Sequence, residues 1–128
     1  MKDTTNEWFT SAESDLLLMQ KISTVENLTH LSAFHAQQSI EKSFKAVIEE
    51  FDLGFIRTHS LETLYNSVKD IIPEKLNKDI LIILDQLYID SRYPGEMGLL
   101  PNGKPTLNEV NELLDFARKV FDSAKSVC

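Results

Sequence analysis

A chain of 128 residues is long enough for one buried core but not two, and its net charge of −7 opposes unaided binding to nucleic acid or an anionic membrane. An apolar fraction of 42% with only 4 Gly and 4 Pro excludes a disordered or collagen-like chain, and one cysteine, Cys128, excludes an internal disulfide or a cysteine-based zinc site. Residues 1–7 lack an apolar signal core, and the longest aliphatic run, 80–84, is far too short to span a bilayer, so a single cytoplasmic domain over 1–128 is expected, without a cofactor or a membrane partner.

Five helices and no strand are predicted. The first covers about 5–23, opened by Thr4 with Glu7 three residues on as a capping box, and turns Trp8, Ala12, Leu16, Met19 and Ile22 inward. The second covers about 29–51, because Ala36, Ile40, Phe44, Val47 and Phe51 recur at three- and four-residue steps. It ends at Asp52-Leu53-Gly54, where Gly54 suits a left-handed C-terminal position. A short third helix follows His59, with Leu61, Leu64, Tyr65 and Val68 inward. Pro73 is read as the first turn of the fourth, in which Leu76, Ile80, Ile83 or Leu84, Leu87 and Tyr88 keep the helical period. That helix must stop near Tyr93, before Pro94, and 94–105 reads as an irregular loop with three Pro and three Gly. Thr106 and Glu109 form a second capping box for the last helix, whose inward face is Val110, Leu113, Leu114, Ala117, Val120, Phe121 and Ala124. The expected architecture is all-α, a single up-and-down bundle.

Three stretches carry polar chemistry. In 34–46, Gln38, Glu41, Lys42 and Lys45 lie within mutual reach beside the apolar stripe. They are either a solvated i,i+4 pair with neighbours or a polar seam that meets a phosphate. At 56–61, Arg57 is a bidentate phosphate binder by chemistry and His59 an acid, base or ligand. The plainer alternative makes Thr58, His59 or Ser60 the cap of the third helix. Ser91-Arg92-Tyr93-Pro94 offers a guanidinium between two hydroxyls, suited to a phosphate, a base stack or a carboxylate, or else simply a helix end neutralised by Arg92. His30 and His35, five apart, fit a helical metal pair poorly, and no glycine-rich phosphate loop is present.

The run Gln37-Gln38-x-x-Glu41-Lys42-x-x-Lys45-Ala46, the Arg57–His59 segment and Ser91-Arg92-Tyr93-Pro94 resemble, in order, the motifs of the HEPN domain family (higher eukaryotes and prokaryotes nucleotide-binding). The resemblance implies a five-helix bundle, a homodimer, and the HEPN component of a toxin–antitoxin-like pair with a minimal nucleotidyltransferase. It implies a ligand- or partner-binding role for Gln38, Glu41, Lys42, Lys45, Arg57, His59, Arg92 and Tyr93, with a nucleotide or RNA as further partners. Many members are metal-independent ribonucleases that use an Arg, four to six intervening residues, then a His. Here Arg57 and His59 are one residue apart, and no His follows Arg92 or Arg118. The nuclease motif is therefore missing, and a binding role ranks above the alternative, a ribonuclease with a non-standard site at Arg57 and His59.

Overall fold

The computed structural model describes residues 1–90 and 104–128, and among these it contains five α-helices, one 3-10 turn and no strand. The helices are α1 (Asp3–Ile22), α2 (Thr29–Glu50), α3 (Leu61–Val68), α4 (Lys78–Asp90) and α5 (Leu107–Val127), with the 3-10 turn at Glu26–Leu28. The expected all-α bundle is what forms. The helix α2 is its axis and packs against each of the other four. Ala36, Ile40, Phe44 and Val47 are wholly buried along it, as their spacing requires, whereas Phe51 is 41% exposed because it lies past the last turn.

The helices α1 and α2 run antiparallel. The hydroxyls of Thr4 and Thr5 donate to Glu49 and Glu50, and Ser39 Oγ donates to the Ala12 carbonyl. These contacts explain why the expected capping box at Thr4 and Glu7 does not form. The Lys2 N–H finds its acceptor on Glu50 at 2.9 Å, so the helix can begin at Asp3 and Thr4 lies inside it. The inward face is also rotated: Phe9 is buried against Phe121, edge-on with centroids 5.6 Å apart, while Trp8 and Ile22 are only half-buried.

At the end of α2 the left-handed position belongs to Asp52 (φ 52°), not to Gly54. Leu53 N–H reaches the Ile48 carbonyl and Asp52 N–H the Glu49 carbonyl, the paired bonds of a Schellman ending, with Leu53 folded onto the core. Gly54 is left-handed too (φ 94°), and turns the chain a second time into the segment 55–60.

The helix α4 begins at Lys78, five residues later than Pro73 suggested. Side chains from elsewhere satisfy the intervening backbone: Tyr65 Oη accepts from Leu76 N–H, and Ser123 Oγ from Glu74 N–H. Asn77 then caps the helix by accepting from Asp79 N–H at 2.9 Å.

The capping box of α5 is present in both directions, Thr106 Oγ1 accepting from Glu109 N–H and the Glu109 carboxylate from Thr106 N–H. Thr106→Ala is expected to cost about 1 kcal/mol, measured by urea unfolding.

Candidate functional site

The face of α2 beside its apolar stripe carries, at three- and four-residue steps, Gln37, Gln38, Glu41, Lys42 and Lys45. Glu41 is its centre. Its buried carboxylate takes Lys45 Nζ at 2.9 Å and His59 Nδ1 at 3.0 Å. Gln37 is wholly buried beside it, donates to the His59 carbonyl at 2.8 Å and accepts from Gln38 Nε2 at 2.8 Å. The 55–60 segment is thus drawn onto α2 by both the main chain and the side chain of His59.

The same segment is fixed from its other side. Ser60 caps α3, and Asp85 of α4 accepts from Leu61 N–H with both oxygens, at 3.0 and 2.9 Å. Burial pushes the Asp85 carboxyl up, against the opposing pull of its bonds to Leu61, Gln37, Glu62 and Ser60. A raised carboxyl binds its proton more tightly folded than unfolded. Its contribution is full below the ordinary carboxylate range and is lost as pH rises through the raised value. Between neutral pH and about pH 4, urea midpoints of the parent and of Asp85→Asn should therefore shift relative to one another in favour of the parent.

Between this segment and α1 opens a cleft of about 490 Å³. Trp8, Phe55 and Ile56 give it apolar walls, Lys45, Arg57 and His59 its cationic and imidazole groups, and Glu49 and Asp52 an acidic rim. Lys45 Nζ sits 5.6 Å from the centre of the Trp8 ring, a cation–π contact added to its bond to Glu41. Phe55 is 87% and the His59 side chain 63% exposed, so both face an incoming molecule. Among the described residues no carboxylate pairs with Arg57, which leaves its guanidinium available.

Of the side chains singled out from sequence, Lys45, Arg57 and His59 line this cleft, Glu41 lies buried behind it and holds Lys45 and His59, and Gln38 is joined to His59 through Gln37. Lys42 does not join them: it turns to Asp15 on α1 at 2.8 Å, and the same carboxylate holds His35 Nδ1 at 2.8 Å. Arg92 and Tyr93 lie outside the described residues. Sequence reasoning missed Gln37, Asp85, Trp8 and Phe55. For Asp85 there was a signal, since it is the one acidic residue in the apolar run 80–88. Gln37 stood four residues before Glu41, and so on its face. Tyr88, which keeps the helical period of α4, stacks on Phe34 at 5.3 Å and flanks His59 at 5.7 Å.

The arrangement can grip a planar or apolar group against Trp8 and Phe55 while Arg57 and Lys45 meet an anionic one. None of the curated proteins matches the chain. Among solved structures, an archaeal HEPN homologue, ST0689, is 26% identical, with 98% of each chain covered and a TM-score of 0.69. TT1696 from Thermus thermophilus is 20% identical over 99% of this chain and 100% of its own, with a TM-score of 0.72, a likeness of fold. The HEPN domain pattern matches residues 5–127, nearly the whole sequence, and the chain belongs to the HEPN domain family.

Proposed function

We propose that this single-domain protein binds a nucleotide in the Lys45–Arg57–His59 cleft and serves as the HEPN component of a pair with a minimal nucleotidyltransferase. The observation that carries this reading is the combination in one cleft of aromatic surface, exposed at Phe55 and half-buried at Trp8, with an imidazole and a guanidinium that no carboxylate pairs among the described residues. A nucleobase and a phosphate need those two surfaces side by side. The acidic rim of Glu49 and Asp52 suits ribose hydroxyls as acceptors, and disfavours ligands with many phosphates. The partner is consistent with the overall charge of −7, which favours a basic protein. No helix among the described residues is long and apolar enough to cross a membrane. A homodimer belongs to the same reading, supported by the exposed Ile82, Ile83 and Ile89 on the outer face of α4.

Calorimetric titration with AMP tests the site. Arg57→Ala is expected to weaken binding roughly tenfold or more, the loss of a charge-assisted hydrogen bond. Equal affinity in parent and variant would remove the cleft from consideration. Co-purification of the tagged chain with a nucleotidyltransferase from its native lysate tests the pairing.

A further inference from the structure

A second cleft, of about 680 Å³, lies between the first turns of α2 and α5, and none of its lining residues belongs to the cleft described above. Glu26, Thr29, Lys104, Thr106, Leu107 and Asn108 line it. Thr29 is 1% exposed and its Oγ1 has no hydrogen-bond partner among the described residues. It is not alone: His30 Nδ1 and Ser32 Oγ, within the same turn, are also buried without partners among the described residues. Of the three only Thr29 lines the cleft, and because folded proteins pair nearly all such atoms, its orphan hydroxyl marks the place of an absent partner.

The rest of the lining specifies what that partner is. The capping box of α5 occupies the N–H groups of Thr106 and Glu109, while those of Leu107 and Asn108 have no acceptor among the described residues. They stand at the positive end of a 21-residue helix. Lys104 adds a full charge. It donates to the Asn27 carbonyl at 3.2 Å, which uses one of its three N–H bonds. The lowering of the His30 pKa, by burial first and Lys104 second, shows that this ammonium acts on the same corner. Against these donors stands the carboxylate of Glu26, since that of Glu109 is committed to the cap. Amide, ammonium and hydroxyl donors in the lining of one cleft suit a tetrahedral oxyanion.

We propose that this cleft is a second binding site, one that takes a phosphate group between Thr29, Lys104 and the first amides of α5. The site is independent of the nucleotide reading given above and stands if that reading falls.

Thr29→Val isolates the site, because it keeps the side-chain volume and removes only the orphan hydroxyl. Without ligand it should leave the unfolding temperature unchanged or raise it, which separates loss of binding from loss of fold. Inorganic phosphate and AMP are titrated calorimetrically into the full chain, in the parent and in an Arg57→Ala background that removes one of the two cations of the first cleft, the other, Lys45, being held by Glu41. Phosphate affinity in that background should fall roughly tenfold on adding Thr29→Val and rise roughly two- to threefold on adding Glu26→Gln. If Thr29→Val weakens AMP as well, the occupant is the phosphate of a nucleotide; if it weakens inorganic phosphate alone, the occupant is the free ion. Either result supports the site. No phosphate binding in the Arg57→Ala background, or equal affinity with and without Thr29→Val, would overturn it.

Discussion

Phe44→Ala is expected to remove about 3–5 kcal/mol of stability, the largest loss of any single truncation considered for this chain. Phe44 lies wholly buried in the middle of α2, the helix on which the other four pack, and its ring meets Tyr65 of α3 with centroids 5.9 Å apart. Removing the ring leaves a cavity walled by several helices, none of which can close it alone. A domain of this size has only about 5–15 kcal/mol to lose, so the variant should unfold at a much lower urea concentration. A midpoint within error of the parent would mean that α2 is not the central element.

Glu41→Ala should have the next largest effect, about 2 kcal/mol by urea unfolding, together with a change at the nucleotide cleft. The carboxylate is buried and joins Lys45 of its own helix to His59 of the 55–60 segment. Its partners reach solvent, His59 most of all, and can rehydrate when it is removed, so the cost stays below that of breaking a fully buried pair. The functional consequence is separate. His59 loses the partner of its Nδ1 but keeps the hydrogen bond from Gln37 to its carbonyl. The backbone of the segment therefore stays while its imidazole is freed. AMP affinity should change by more in Glu41→Ala than in Glu41→Gln, which retains an acceptor for His59. Identical affinities in the two variants would show that Glu41 does not orient the site.

The resemblance was carried by short runs on α2, at 56–61 and at 91–94, and the family match over 5–127 agrees with it. Within the site, the four-residue step from Glu41 to Lys45 was legible because a helix makes those positions neighbours whatever surrounds them. Lys42 was misplaced for a related reason. Its position on the α2 face could be read, but the opposing carboxylate, Asp15, belongs to another helix 27 residues away. The start of α4 failed likewise: Pro73 is compatible with a first turn, yet hydroxyls of Tyr65 and Ser123 hold the backbone there in another form. Asp52 in place of Gly54 shows that a Schellman ending is set by where Leu53 can reach the core, which outweighs the small strain of a non-glycine left-handed residue.

The helical class, the inward stripe of α2, the capping box of α5 and the absence of the family's spaced Arg–His nuclease motif were all legible in the order of residues. All of these depend on residues within about one or two turns of each other, where spacing along the chain is also spacing in space. Long-range packing set the rest: Gln37 and Asp85 clamp the 55–60 segment from opposite sides, Trp8 and Phe55 wall the same cleft as Arg57, and Thr29 lies buried opposite the start of α5 without a partner among the described residues. Those facts depend on which polar groups long-range packing brings within hydrogen-bond reach and which it strands, and local periodicity does not encode that.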